Sequence, residues 1–317
     1  MESIKKIVSE NYNLSINDIK QTVGGWSAEA YITKTEASEY FVKVYDKKRA
    51  SVQPWIARME LYIPVQLWIY ENTPLRDRII APLLTTDGKY KAESEDYILL
   101  VFKMLHGKTI GNANLDTEQI RQLAVILAEL HSYTGLIPIE TSAIKEDYSL
   151  PFLHELISIM EAKDKPAELY NLLSLYTDDI KKGIEILKEL SVSQQGKGVH
   201  NVLCHTDIHG WNLMLTDKIV LIDWEGLRLA PAEADLFAFS DGFFFDYAKE
   251  ELMSVYQGIR KDYIVSKDAI SFYRLRRRME DISEFLCSLV HDELSPEETT
   301  NAFRHLKKEC ASLSEMF

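Results

Sequence analysis

The hydrophobic pattern of this chain changes period once, near residue 105, and that change narrows the folds open to it. Before it, residues 18 to 45 carry three β-rich runs, Ile19 to Val23, Glu29 to Thr35 and Tyr40 to Tyr45, parted by Gly24-Gly25 and by Glu36-Ala37-Ser38. Runs of β-branched and aromatic residues bounded by turn formers predict an antiparallel meander. Two more strands are expected at Ile79 to Leu84 and at Tyr97 to Lys103, the second nearly continuous in apolar residues, as a buried strand is. A helix is expected from about Pro54 to Tyr70, with Pro54 tolerated in its first turn and Pro64 kinking or ending it. After His106-Gly107-Lys108 the apolar spacing turns helical, over Asp116 to Ser132, Leu150 to Ala162, Pro166 to Leu190, Ala248 to Tyr263 and Lys267 to Leu294. The expected class is α+β: a sheet-rich part over residues 1–105 with five antiparallel strands and a helix, then a mainly helical part over 106–317.

Composition excludes several functions. A net charge of −13 and a pI near 5.2 disfavour binding to nucleic acid or to anionic lipid, while permitting a cationic partner. No segment approaches the ~18 apolar residues that span a bilayer, and the amino terminus mixes charges into its apolar positions, unlike an export signal. Cys204, Cys287 and Cys310 are far apart and form no Cys-x-x-Cys pair, which suits a reducing cytoplasm.

Within the helical part, short β-runs at Val202 to Cys204, Leu213 to Leu215 and Ile219 to Ile222 bracket polar loops. These loops read His205-Thr206-Asp207-Ile208-His209-Gly210-Trp211-Asn212, then Asp223-Trp224-Glu225. Phosphoryl transfer needs a base beside an acceptor hydroxyl and oxygen ligands that hold Mg²⁺ against a triphosphate. Asp207, Asn212 and Asp223 supply these groups in the order kinases use them.

With His-x-Asp-x-x-x-x-Asn followed by Ile-Asp-Trp, the chain resembles the aminoglycoside-phosphotransferase and choline-kinase branch of the protein-kinase-like superfamily. Its Cys-His-Thr-Asp-Ile-His core, Ile-Asp-Trp-Glu, Phe272-Tyr273-Arg274 and Glu280-Asp281-Ile282 look most like the spectinomycin-phosphotransferase branch. The resemblance implies a bilobal kinase-like fold that binds ATP or GTP with Mg²⁺ and phosphorylates a hydroxyl of a small molecule. By it, Asp207 is the base, Asn212 and Asp223 are the metal ligands, and His205 is a brace. Lys43, in the third strand, would meet the α- and β-phosphates, with Glu60 on the next helix holding it. Lys43 shares a strand face with Phe41 and Tyr45, an unusual place for a purely solvated charge. Gly24-Gly25-Trp26-Ser27 occupies the place of a phosphate-covering loop, where the backbone at Gly25 and the hydroxyl of Ser27 would approach the nucleotide. The stretch around Phe102 and Met104 would present its backbone to the adenine, and Asp235 would brace the catalytic loop. Trp211 departs from the pattern by standing where a small residue is common.

Three other readings compete. His205, Asp207 and His209 form a His-x-Asp-x-His triplet open to a metallohydrolase reading. The basic run Arg274, Arg276, Arg277 and Arg278 suggests a nucleic-acid patch, although Arg276 with Glu280 and Arg277 with Asp281 are helix pairs four apart. A pseudokinase would keep the fold without turnover. Acceptor recognition falls on acidic candidates, Glu225, Asp241, Asp246, Glu280 and Asp281, for an aminocyclitol or aminoglycoside cation, or on a metabolic alcohol of the choline, methylthioribose or homoserine kind.

Overall fold

The computed structural model describes residues 1–22, 24, 28–196 and 200–317. Helix α1 (Glu2–Tyr12) leads into strands β1 (Asp18–Thr22), β2 (Glu29–Lys34) and β3 (Glu39–Asp46), followed by helix α2 (Gln53–Asn72), the two-residue β4 (Ala92–Glu93) and β5 (Tyr97–Lys103). The strands form one antiparallel sheet in the order β1-β2-β3-β5-β4. Register sets its two faces. Tyr31, Val42, Val44, Leu99 and Val101 join Ile4, Val8 and Tyr12 of α1 in one buried cluster. Phe41, Lys43 and Tyr45 lie opposite Phe102, Leu100 and Ile98 on the other face. Covering both faces explains the unbroken apolar run of β5.

Helix α1 is not among the elements expected from the sequence. Its apolar residues recur at Ile4, Val8 and Tyr12, one turn apart, with charges between them, so its amphipathic signal is a narrow stripe. Each such side chain contributes about 1.5 to 3 kcal/mol on burial.

Two further expectations are corrected. Residues 79–84 make no strand: Ile79 forms an isolated bridge to Leu221, and the Leu83 N–H donates to the Val101 carbonyl at 2.7 Å. Pro82 lacks the N–H a ladder needs at this point. The outer place beside β5 goes instead to Ala92–Glu93. Pro64 neither ends nor divides α2, which runs unbroken from Gln53 to Asn72. Ile63 and Val65 on either side are fully buried, and Gln66 donates to the Ile80 carbonyl at 2.7 Å, so packing holds the helix through the proline.

Beyond the sheet come β6 (Lys108–Thr109), α3 (Thr117–Ser132), α4 (Phe152–Glu161), α5 (Ala167–Gln194), β7 (Val202–Cys204), β8 (Leu213–Leu215), β9 (Ile219–Leu221) and β10 (Arg228–Ala230). The short α6 (Glu233–Leu236), α7 (Lys249–Ile259), α8 (Lys267–His291) and α9 (Pro296–Ser314) complete the α-helices among the described residues. Helix α3 opens on a reciprocal cap in which the Asp116 carboxylate accepts from the Gln119 N–H and the Gln119 side chain accepts from the Asp116 N–H.

The chain divides into two compact units, residues 1–145 with 201–263, and 146–200 with 264–317. The first contains the sheet, α2, α3 and the β7 to β9 region. In the second, α8 packs on α4, α5 and α9. There the Arg run is neutralised locally: Arg276 pairs with Glu280 and with Glu146, both at 2.8 Å, Arg277 with Asp281 at 2.9 Å, and Arg278 with Glu309. The spacing-derived helix pairs thus form, and the arginines do not stand together as a bare basic patch. Among the described residues, no helix is long and apolar enough to cross a membrane.

Replacing Leu99, fully buried beneath α1, with alanine should cost about 2 to 5 kcal/mol. A urea titration should show this as a lower midpoint with an unchanged slope.

Candidate active site

Strand β7 delivers His205 to a loop that returns as β8, and β8 pairs with β9 through Leu213–Leu221, Met214–Val220 and Leu215–Ile219. The ladder extends by one bond, from the Ile222 N–H to the Asn212 carbonyl at 3.0 Å, which sets Asn212 beside the turn that carries Asp223. Both halves of the sequence motif therefore meet at one end of a small hairpin.

The Asp207 carboxylate is held at both oxygens. Asn212 Nδ2 donates to Oδ2 at 2.8 Å and to the Asp207 carbonyl at 3.0 Å, while His209 Nε2 lies 3.2 Å from Oδ1. With its amide nitrogen engaged there, Asn212 has Oδ1 left as the atom that could meet a cation. That oxygen and the Asp223 carboxylate are hard donors of the kind that could hold a divalent cation.

His205 has no exposed surface. Its Nε2 donates to the Ile222 carbonyl at 3.0 Å, and Nδ1 accepts from the Asp207 N–H at 3.3 Å, so both nitrogens are turned to backbone. Its ring packs edge-on against Trp224 at 4.9 Å. Beneath the loop lies the buried carboxylate of Asp235, which accepts from the N–H groups of His205 at 3.0 Å and Thr206 at 2.6 Å and from His131 Nε2 at 3.0 Å. Tyr256 in turn donates to His131 Nδ1 at 2.7 Å. Asp235 is thus bonded to the loop that carries Asp207, as the resemblance implied. Thr206 has φ +69°, and its Oγ1 donates to the Gly226 carbonyl at 2.9 Å. A Cβ at Gly226 would press on Thr206 and His205, so glycine is required by the close approach.

The metallohydrolase reading does not fit this arrangement, because His205 faces the backbone and His209 faces Asp207 rather than a shared ion. His131, Cys204 and Asp235 also lie within ligand distance of one another. Their atoms are engaged already, Asp235 with the loop, His131 with Tyr256, and Cys204 with the carbonyls of Ala230 and Pro231 at 3.5 and 3.4 Å.

From the sheet, Lys43 Nζ reaches Asp223 Oδ1 at 2.7 Å and Glu225 Oε1 at 2.8 Å. Tyr45, two residues on and on the same face, donates to the same Glu225 oxygen. Burial works against the lysine charge, yet the carboxylates of Asp223 and Glu225 hold its pKa above the ordinary lysine range. Asp223 sits at φ +66°, in the left-handed region. Non-glycine residues kept there cost of order 1 to 3 kcal/mol and cluster at functional sites.

Glu60 does not hold Lys43. Along α2 the residues Met59, Tyr62, Ile63 and Gln66 are buried, and Glu60 falls off that stripe with 61% of its side chain exposed. It accepts from Tyr90 and pairs with Lys91 at 2.6 Å. Phe102 is buried on the Lys43 face, and the Met104 N–H donates to the Glu39 carbonyl at 3.1 Å, so that donor is engaged within the sheet. Gly25 and Ser27 lie outside the described residues. Sequence reasoning placed Glu225 among the acceptor candidates and left out Tyr45. The available signal was a spacing of two, Tyr45 after Lys43 and Glu225 after Asp223.

Of the other acidic candidates, Glu280 and Asp281 are paired with arginines in the second unit. Asp241 and Asp246 line a cavity of about 550 Å³ with Tyr247, Lys249, Glu250 and Met253. The same segment carries Phe244, whose ring lies 5.4 Å from that of His209. Trp211, 59% exposed, rests its ring against Gly111.

Residues 18–275 match the sequence profile of the phosphotransferase enzyme family, APH. Protein StrN of Streptomyces griseus is 26% identical over 168 residues, which is 50% of this chain and 53% of that protein, so the match spans about half of its length. Among solved structures, the chain is similar to spectinomycin phosphotransferase APH(9)-Ia in complex with ADP and spectinomycin, with a TM-score of 0.76, 21% identity, and coverage of 98% of this chain and 97% of that one. A microcompartment-associated aminopropanol kinase superposes with a TM-score of 0.63 at 15% identity, over 99% of this chain and 97% of that one.

Burial lowers the His205 pKa from its ordinary value, against the opposing carboxylates of Asp235, Asp207 and Asp223. The folded chain therefore binds this proton more weakly than the unfolded chain. The stability this confers is complete above about pH 6.5 and is lost as pH falls through the folded-state pKa. Denaturation midpoints followed downward from neutral pH should fall more steeply for the wild type than for His205→Gln, which keeps a donor for Ile222.

Proposed function

The chain belongs to the phosphotransferase enzyme family, and from that premise we propose that it transfers the γ-phosphoryl group of ATP or GTP to a hydroxyl of an amine-bearing small molecule, with Asp207 as the base. The observation that carries this reading is the ion pair at 2.7 Å between Lys43 and Asp223, which joins the sheet to the hairpin end where Asp207 and Asn212 are bonded to each other. Lys43 is the cation for the α- and β-phosphates, and residues 1–105 are the nucleotide lobe, with Phe102 and the backbone near Met104 beside the adenine. The loop containing Gly25 and Ser27 covers the phosphates. Residues 106–317 carry catalysis and acceptor binding.

Asn212 and Asp223 are the ligands for Mg²⁺, which neutralises phosphate charge when bound. Asp207, fixed at both oxygens by Asn212 and His209, orients the acceptor hydroxyl and takes its proton as the oxygen attacks phosphorus. The loose transition state asks the protein for placement and charge stabilisation more than for covalent chemistry. His205, with both ring nitrogens turned to backbone, serves to shape the loop.

The acceptor we favour is an aminocyclitol or aminoglycoside such as spectinomycin. The likeness to spectinomycin phosphotransferase and the acidic and aromatic cavity of Asp241, Asp246 and Tyr247 support it. A metabolic amino-alcohol kinase is the second reading, supported by the likeness to an aminopropanol kinase. Both are amine-bearing alcohols, as the net charge of −13 would favour. Lys43, Asp207, Asn212 and Asp223 are all present, which argues against a pseudokinase.

Incubation with Mg·ATP and a panel of aminocyclitols, aminoglycosides and small amino alcohols should give a mass gain of one phosphoryl group on one of them. Asp207→Ala should lower kcat by about 10²- to 10⁴-fold and leave nucleotide affinity within a few-fold. Retention of most of the rate by that variant rules out Asp207 as the base.

A further inference from the structure

We propose that Glu225, rather than Glu60 of helix α2, is the positioning residue that holds Lys43 in place for the phosphates; the inference rests on the nucleotide-binding reading above. The Glu225 carboxylate is buried, and one of its oxygens meets both Lys43 Nζ, at 2.8 Å, and the Tyr45 hydroxyl. Lys43 and Tyr45 are adjacent on one face of β3, so strand and carboxylate make a closed three-membered contact that needs no carboxylate from a helix. Asp223, the other partner of Lys43, is also a metal ligand in this reading. A second carboxylate keeps the ammonium fixed when Asp223 turns to an ion.

The phase of α2 makes the alternative costly. Tyr62, not Glu60, faces the small cavity of about 20 Å³ that Lys43, Tyr45, Asp223 and Glu225 also line. Residues two apart on a helix differ in direction by about 200°, so bringing Glu60 to the place of Tyr62 requires close to half a turn of the helix. That rotation would draw Met59 and Ile63, both at 0% exposure, out of the core. Glu60 is meanwhile engaged at the surface by Tyr90 and Lys91. The lysine is therefore held by carboxylates of the hairpin region and not by one from α2, which instead steadies the turn after Glu225 through Arg58, a donor to the Gly226 and Leu227 carbonyls at 3.4 and 3.2 Å.

The test is a set of variants, Lys43→Met, Glu225→Gln, Glu225→Asp, Glu60→Gln and the Lys43→Met/Glu225→Gln double, read by kcat/KM for magnesium-dependent ATP turnover and by crystals of the wild type grown with ADP. Glu225→Gln should lose about tenfold or more, Glu225→Asp should recover part of it, and Glu60→Gln should stay within about twofold of wild type. In the Lys43→Met background Glu225→Gln should cost less than about twofold more, because the two side chains act as one unit. In the ADP complex Lys43 Nζ should remain within hydrogen-bond distance of Glu225, with Glu60 at the surface. Equal losses from Glu225→Gln in both backgrounds would mark a general folding defect and overturn the proposal, as would a Glu60–Lys43 pair in the complex. If Lys43→Met loses activity while Glu225→Gln stays within about twofold of wild type, the anchor fails and the nucleotide reading stands. Full activity of Lys43→Met would end both.

Discussion

A carboxylate with no solvent exposure is among the most expensive groups a fold can bury, and Asp235 is one. It is stable where it is because its charge is met by the N–H groups of His205 and Thr206 and by His131, which Tyr256 fixes from behind. These bonds decide the path of the backbone between β7 and β8. That path turns His205 to the Ile222 carbonyl, and the same contact ties the strand preceding Asp223 to the loop of Asp207. The relative placement of Asp207, Asn212 and Asp223 follows from one buried carboxylate beneath them.

Lys43 completes the arrangement from a distance of 180 residues in sequence. A β-strand rather than a loop presents it, and its neighbours across the ladder, Ala30 and Leu100, are both buried. The amphipathic α1 on the opposite face keeps Val42 and Val44 inside, and with period-two alternation this leaves the lysine no other direction. The core of the sheet and the placement of the cation are thus one packing decision.

Much of this was legible in the residues. The β-runs at 202–204, 213–215 and 219–222 correspond to β7, β8 and β9, and the helix at 116–132 corresponds to α3 with its cap at Asp116. Local signals suffice there, because short polar motifs between apolar runs and a capping pair announce themselves within a few residues. The strand expected at 79–84 does not form and, of the kink or end expected at Pro64, the end does not occur; tertiary partners decided both. Pro82 removed a ladder donor from an otherwise apolar run, while buried neighbours carried α2 across a residue that disfavours helix. The partner of Lys43 was harder still. Choosing between Glu60 and Glu225 requires the phase of α2 relative to the sheet, and an error of about half a turn reverses the answer. Helix α1 left a stripe at Ile4, Val8 and Tyr12, but its charges masked the pattern.

Two residues of the reactive corner, Thr206 and Asp223, carry left-handed backbone that asparagine or glycine would adopt more cheaply. Thr206 keeps its side chain because its hydroxyl ties the loop to Gly226, the residue after Glu225. A thermostabilised version of this protein selected by unfolding temperature alone would be drawn to relax these two positions. It would then become sturdier and slower together, since the substitutions would remove the Thr206 hydroxyl bond to Gly226 and the Asp223 carboxylate beside Lys43.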